Sequence, residues 1–362
     1  MSKILSIGTA VPAYKHRQLD ILHFMQTIYA ATEAEKRKLR FLYQHSGIEH
    51  RYSVLPDYSR PATDWKFYPA SENLEPFPRL EERMNVYNSK APQLSVDAIR
   101  NCLDAVGVHH RDVTHLITVS CTGMSAPGLD LQVMALMDLQ KDIFRTSVNF
   151  MGCYAALHAL RMAHAICSDN SRAHVLIVCT ELCTLHFQKE ATTDNLMSSL
   201  LFGDGSAAVL VSGDAHERKG VTIESFHSEV LPEGSRDMAW ELSSQGFLMT
   251  LSSYVPDLIE ADLAGVVQRA LEKQKLSAGD ISTWCMHPGG KRILESISKS
   301  LQINSDQLQA SYDVLRQYGN LSSAGILFVL KELLQGKLPG DRIFGVAFGP
   351  GLTVETFTAT AA

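Results

Sequence analysis

The residue whose type and position most strongly indicate chemistry is Cys153. It lies between an apolar, strand-like stretch and a helical stretch of small residues, in the segment VNFMGCYAAL at residues 148–157. The positive end of a helix dipole favours a thiolate, and Gly152 permits a tight turn directly before the cysteine. The pattern therefore predicts a reactive thiol held out at the start of a helix.

Two further segments supply groups that a thiol nucleophile uses. His287 follows the strand-like residues 281–286 and precedes a Pro-Gly-Gly turn, and Asn320 opens an apolar helix. Each of these residues, like Cys153, lies where a strand or loop meets a helix, which is where α/β proteins gather their active groups. A lone histidine is more often structural than catalytic. Three such junctions in one chain nevertheless predict a nucleophile, a base and an amide donor.

The composition excludes several classes of protein. The chain has 362 residues, 45% of them hydrophobic and 20% charged, which is the balance of a soluble globular protein. A net charge of −6 argues against a nucleic-acid partner, because binding to phosphates needs a basic face. The amino terminus has too short an apolar run for a signal peptide, and no stretch of about 18 apolar residues predicts a membrane span.

The seven cysteines are odd in number and have no paired spacing, so we expect reduced thiols in a cytoplasmic enzyme. Cys285-Met286-His287 could suggest a metal site. No second ligand pair with zinc-like spacing accompanies it, so we expect no bound metal.

Strand-like and helical stretches alternate along the chain, which predicts an α/β fold. The alternation restarts after about residue 214, and the hydrophilic residues 213–220 are the predicted boundary between two successive halves, 1–213 and 214–362. Residues 56–88 are rich in Pro, Tyr, Trp and Glu with little periodicity, and they predict a long excursion over the surface.

Five segments resemble, in order, those of the type III polyketide synthases, the chalcone synthase family of the thiolase superfamily. They are VNFMGCYAALHALRMA, LFGDGSAAVLV, WCMHPGGKRIL, YGNLSSAGILFVLKELL and AFGPGLTVET. The similarity extends from residues 7–12 to the carboxyl terminus. The chain is therefore identified as resembling this family, and bacterial members of it in particular.

The resemblance implies the five-layered αβαβα thiolase fold, built from two similar halves, and a homodimer. It implies an iterative, decarboxylative condensation of malonyl-CoA onto an acyl-CoA starter, with no prosthetic group, followed by cyclisation. Cys153 matches the acylated nucleophile, His287 and Asn320 match the donors to thioester carbonyls, and Phe202 matches the gatekeeper between the coenzyme A tunnel and the cavity.

Departures from the family's plant pattern concern residues predicted to bind substrate. Cys121 stands where plant members usually have threonine, His186 where they have a small cavity residue, and Met249 where a second gatekeeper phenylalanine is expected. Ser322 is also predicted to bind substrate. If His186 fills the cavity, small products such as triketide pyrones or resorcinols are favoured.

The predicted coenzyme A contacts depart from the pattern as well. Lys38 aligns with one of three basic residues for the phosphates, but Phe41 and His45 stand at the other two positions. Arg40, or a cation just after the Pro-Gly-Gly turn (Lys291 or Arg292), could compensate.

Three alternatives compete with this interpretation, and the first of them remains open from the sequence. An initiating ketoacyl-ACP synthase also uses Cys, His and Asn on this fold, but it would take a carrier protein and stop after one condensation. A papain-like hydrolase shares the order Cys, His, Asn, although no Cys-Gly-Ser-Cys-Trp segment surrounds Cys153. A non-catalytic relative would have lost one of the three residues, and all three are present. Short, long and aromatic starters all remain open.

Overall fold

The computed structural model describes residues 2–215, 219–234, 237–252, 254–335 and 339–361. Residues 216–218, inside the predicted boundary 213–220, lie outside this description. The strands of the described part are β1 (Ser2–Ala10), β2 (Tyr14–Arg17), β3 (His50–Ser53), β4 (His115–Ser120), β5 (Phe144–Asn149), β6 (His174–Leu182), β7 (Asp204–Gly213), β8 (Val221–Val230), β9 (Met238–Ser243), β10 (Gly246–Leu251), β11 (Thr283–Met286), β12 (Arg342–Gly349) and β13 (Thr353–Ala361).

The α-helices of the same ranges connect these strands. They are α1 (Gln18–Tyr29), α2 (Glu33–His45), α3 (Leu80–Asp104), α4 (Leu129–Met137), α5 (Ala155–Asp169), α6 (Thr193–Leu201), α7 (Val255–Glu272), α8 (Lys291–Leu301), α9 (Gln309–Tyr318) and α10 (Gly325–Leu334). None of the helices in the described ranges is both long and apolar enough to cross a membrane.

Nine strands form one hydrogen-bonded sheet in the order β11-β12-β13-β8-β1-β7-β6-β4-β5. In one half, β1 pairs antiparallel with β7, β7 pairs antiparallel with β6, and β6 pairs parallel with β4. In the other half, the same series is repeated: β8 pairs antiparallel with β13, β13 pairs antiparallel with β12, and β12 pairs parallel with β11. The chain therefore contains two similar units, joined where Ser2, Lys3 and Ile4 of β1 pair with β8.

The inner strands of each half pack on both faces, and successive side chains of a strand point to opposite sides. In β6, Leu176 packs in a core with α3, whereas Ile177 packs in a second core that contains α5 and α10. In the other half, Cys285 of β11 belongs to that second core, and Trp284 faces a third core with α7 and α8. The layers therefore follow the order α-β-α-β-α, as the resemblance implies.

The prediction of a surface excursion over residues 56–88 is wrong in two respects. Helix α3 begins at Leu80, and its buried face there consists of Arg83 and Tyr87, one turn apart. Because these two residues are not both apolar, no apolar periodicity predicts the start of the helix. Upstream of α3, Tyr58 and Tyr68 are buried against Phe187. Helix α6 and the hairpin β9–β10 are likewise not anticipated by the sequence pattern.

Candidate active site

A cavity of about 390 Å³ is lined by residues from both halves of the chain. Its volume falls within the ~300–1,000 Å³ range of small-molecule sites. The cavity brings together seven of the residues predicted from the sequence: Cys121, Cys153, Phe202, Met249, His287, Asn320 and Ser322. Two predicted residues, His186 and Lys38, are not among its lining residues.

Cys153 is placed by a strained connection between β5 and α5. Phe150 and Gly152 have φ angles of 59° and 78°, in the left-handed region. A Cβ atom on Gly152 would lie 2.2 Å from Cδ of Pro350, so only glycine fits there. Cys153 follows in a 3₁₀ turn that leads into α5, and the Gly152 N–H donates to Sγ of Cys121 at 3.0 Å. The predicted position at the start of a helix is confirmed.

The second half of the sheet supplies an equivalent connection opposite the first. A 3₁₀ turn at Ser322–Ala324 leads into α10, as the turn of Cys153 leads into α5. The two turns bring Sγ of Cys153 within 3.8 Å of Oγ of Ser322. The hydroxyl of Ser322 therefore lies within reach of a hydrogen bond from the thiol.

Asn320 is fixed through its backbone and its side chain. Its backbone bridges to Phe202, with Asn320 N–H donating to Leu201 O at 2.8 Å and Gly203 N–H donating to Asn320 O at 3.0 Å. Its side-chain Oδ1 accepts from the Ser322 N–H at 2.9 Å. Its Nδ2 donates to Gly289 O at 3.2 Å, and because an amide Nδ2 carries two hydrogens, a second donor remains on the same atom.

His287 follows directly after β11, with its backbone N–H bonded to Val346 O at 2.9 Å. Its ring packs against Gly325, where an added Cβ would lie 3.2 Å from Cε1 of the ring. The ring is 2% exposed, and neither nitrogen has a hydrogen-bond partner in the structure. An unpaired, buried imidazole that lines a cavity is available to a ligand.

The burial of the site favours neutral groups. Burial raises the pKa of the Cys153 thiol to about 12, although the Ser322 contact acts in the opposite direction. Burial lowers the pKa of His287 to about 3, against a smaller opposite effect of Asn320. Burial thus opposes the thiolate that a position at a helix start favours, and no hydrogen bond joins the side chains of Cys153 and His287.

The inner end of the cavity is closed by a cluster of aromatic rings. Trp240 lines the cavity, and its Nε1–H donates to Cys121 O at 2.6 Å. Behind it, His186 stacks on Phe247 with ring centroids 4.2 Å apart. Nδ1 of His186 accepts from the Phe247 N–H at 3.1 Å, so Nε2 donates to Thr122 O at 2.8 Å. His186 is thus a buried support for the wall, whereas Trp240 presents the surface that a substrate would meet.

The mouth of the cavity is formed by α2 and by the start of α8. Phe41 and His45 of α2 and Lys291 and Arg292 of α8 line it, and all four are exposed. Lys38 is exposed one turn earlier on α2 and lies outside this lining.

The chain matches the family models of the chalcone and stilbene synthases over nearly its whole length. Their N-terminal domain matches residues 1–215, and their C-terminal domain matches residues 222–361. The chain belongs to the chalcone and stilbene synthase family. It is accordingly an enzyme of the type III polyketide synthase class, an acyltransferase of polyketide synthesis.

Individual relatives align with nearly the whole of this chain. A relative from Bacillus subtilis (strain 168), named for chalcone synthase, is 31% identical over 98% of this chain and 97% of its own. A relative from Dictyostelium discoideum, named for polyketide synthase 1, is also 31% identical over 98% of this chain, which spans 11% of that protein's length. The crystal structure of PKS-I from the brown alga Ectocarpus siliculosus superposes with a TM-score of 0.92 at 28% identity, covering 100% of this chain and 98% of the other. The thiolase-like fold is therefore confirmed.

One residue of this chalcone synthase-family site, Glu181, was missed by the motifs. Its buried carboxylate accepts from the Cys121 N–H at 3.0 Å, from Thr122 Oγ1 at 2.8 Å and from Ser323 Oγ at 2.5 Å. Burial raises its pKa above the ordinary value for a glutamate. The carboxylate ties together the segment after β4, strand β6 and the turn before α10. A single carboxylate inside an otherwise apolar strand was the sequence signal for it.

Proposed function

We propose that this enzyme transfers an acyl group from an acyl-CoA starter to Cys153 and extends it by repeated decarboxylative condensation with malonyl-CoA. Cyclisation then gives a pyrone-, resorcinol- or chalcone-type product. The observation that supports the proposal is that Cys153, His287 and Asn320 line one enclosed cavity whose walls are mostly apolar.

The first step is loading of the starter. Loading removes the proton of the Cys153 thiol, and the unpaired ring of His287, which lines the same cavity, can accept that proton as the sulfur attacks. The sulfur attacks the thioester carbonyl carbon of the starter. Coenzyme A leaves as the thiol after taking up a proton, and the acyl group remains on Cys153.

The second step is decarboxylation of bound malonyl-CoA. The bond to the carboxylate breaks, carbon dioxide leaves, and the electron pair forms an enolate whose oxygen accepts hydrogen bonds. An N–H of the His287 ring and the Nδ2–H of Asn320 are the donors, since Ser322 already occupies the oxygen end of the amide. Loss of one such donor costs roughly 10²- to 10³-fold in rate in other enzymes.

The third step forms the carbon–carbon bond. The enolate carbon attacks the acyl carbonyl on Cys153, the sulfur leaves as a thiolate, and the chain, two carbons longer, remains on coenzyme A. Transfer back to Cys153 permits another cycle. Phe202, whose backbone is bridged to that of Asn320, adds an apolar wall that limits protonation of the enolate by water. The thiol, imidazole and amide suffice for each step, so we propose that no prosthetic group takes part.

The test is incubation of the purified full-length chain with malonyl-CoA and short, long or aromatic acyl-CoA starters, followed by mass spectrometry. Pyrone or resorcinol masses with two or more added ketide units are the expected result. A single condensation that requires carrier-bound malonate would overturn the proposal and support an initiating ketoacyl-ACP synthase.

We also propose that the enzyme is a homodimer. Strand β5 is an edge strand of the sheet, and its first residue, Phe144, is 70% exposed. Leu131 and Leu136 of the neighbouring α4 are exposed as well, as is Met124. An open edge beside apolar side chains favours pairing with a second copy. The seven free cysteines fit the cytoplasm, the location that we propose.

A dimer in sedimentation equilibrium is the expected result, and Phe144→Lys should shift it toward monomer because a charge would be buried at the edge. Leu242→Lys, on the exposed face of hairpin β9–β10, is the matched control and should leave the mass unchanged. A monomeric native chain would contradict the proposal.

A further inference from the structure

The first turn of α8 carries charge of the wrong sign for a stable helix. Lys291 and Arg292 open the helix, no acidic residue lies in that turn, and no side chain caps its N–H groups. The amino-terminal end of a helix has a positive potential and normally attracts Asp or Glu. Two cations there oppose the helix dipole, and such a local conflict is typical of a functional site.

The carboxylates around these two cations hold them only loosely. Lys291 Nζ lies 3.9 Å from Glu295, and Arg292 Nη2 lies 3.9 Å from Asp257, with all four side chains well exposed. Exposed pairs at this distance contribute little and exchange readily with other anions. The cations and the uncapped N–H groups thus lie together at the mouth of the cavity that contains Cys153.

An aromatic surface lies across the mouth. Phe41 is 60% exposed, and one of its faces stacks on His45 with centroids 4.1 Å apart. His45 is held in place by a 2.8 Å hydrogen bond from its Nδ1–H to Phe41 O. An exposed phenyl ring beside two cations is the arrangement that binds a nucleotide, since bases stack on aromatic rings and phosphates pair with cations.

We propose that Lys291 and Arg292 bind the phosphates of coenzyme A and that Phe41 stacks on its adenine ring. The inference rests on the proposed function, because it places the pantetheine arm in the cavity with its thioester at Cys153. It moves the phosphate contacts from α2, where Lys38 and Arg40 are the cations considered from the sequence and neither lines the cavity, to α8. Lys38 lies one turn farther from the cavity than Phe41, so its contribution is smaller.

The proposal is tested by steady-state kinetics with three malonyl thioesters: coenzyme A, 4′-phosphopantetheine, and N-acetylcysteamine, which has no phosphate. For the double variant Lys291→Ala/Arg292→Ala, we expect KM to rise at least tenfold for the first two and less than twofold for the third. For Phe41→Ala, KM should rise about fivefold for the coenzyme A thioester alone. Lys299→Ala, which removes a cation from the other end of α8, is the control and should match the native enzyme.

Two outcomes would overturn the proposal. One is an equal rise of KM for all three thioesters in the double variant, and the other is a larger effect of Lys38→Ala than of the double variant. Calorimetric binding of free coenzyme A separates this inference from the proposed function, because binding needs no reaction. If the native chain binds coenzyme A and the double variant does not, the inference holds even where no polyketide forms.

Discussion

Replacing Cys153 with alanine is expected to reduce polyketide formation at least ~10³-fold, because the proposed mechanism holds the acyl chain as a thioester on this sulfur, in the same cavity as His287 and Asn320. Decarboxylation of malonyl-CoA should persist, since the donors that stabilise the enolate remain. The free energy of unfolding should change by about 1 kcal/mol or less, because only one sulfur atom at a cavity wall is lost. Mass spectrometry of the products, with acetyl-CoA quantified alongside, measures both reactions.

Cys183→Ala is the matched control for this experiment. Cys183 lines the same cavity, so its loss tests whether any thiol in the cavity can carry the acyl chain. We expect Cys183→Ala to retain condensation. If Cys153→Ala condensed normally while Cys183→Ala or Cys121→Ala did not, the nucleophile would have been assigned to the wrong sulfur.

Replacing Trp240 with alanine is expected to lengthen the major product by at least one ketide unit. The indole forms the wall between the cavity and a smaller space of about 40 Å³ beside His186, and its removal would connect the two. The change also deprives the carbonyl of Cys121 of its donor, so we expect a stability loss of about 1–3 kcal/mol.

Two control variants isolate the effect of the indole. Leu242→Ala alters the same hairpin at a side chain that is 62% exposed and should leave the products unchanged. Trp240→Phe keeps a ring but loses the donor, and it should give products close to those of the native enzyme. An identical product profile for Trp240→Ala and the native enzyme would mean that this wall does not limit chain length.

The sequence predicted the parts of the site that depend on local chemistry. The turn before Cys153, the strand before His287 and the helix after Asn320 each have a short-range signal, and all three lie where the signals indicated. The fold class followed from alternation of strands and helices, because that alternation is a local property of the chain.

The inner wall could not be predicted in the same way. His186 was expected to occupy the cavity. Trp240, 54 positions later, lies between His186 and the cavity because hairpin β9–β10 folds across the inner end of the cavity. Whether a side chain faces a cavity or supports its wall depends on packing between distant segments. The mouth presents the same difficulty, since α2 and α8 meet there from opposite ends of the chain.

The repeated strand order of the two halves places Cys121 and His287 at matching positions, each directly after the corresponding strand, β4 or β11. The turns that carry Cys153 and Ser322 correspond in the same way. In the proposed mechanism, a nearly symmetric scaffold thus holds an asymmetric set of reagents: the first half contributes the electrophile carrier, and the second half contributes the groups that generate the carbanion. Under that mechanism each half supplies only part of the catalyst, and the reacting carbons would meet between groups that the two halves supply. A small slippage of one half against the other would then separate those carbons.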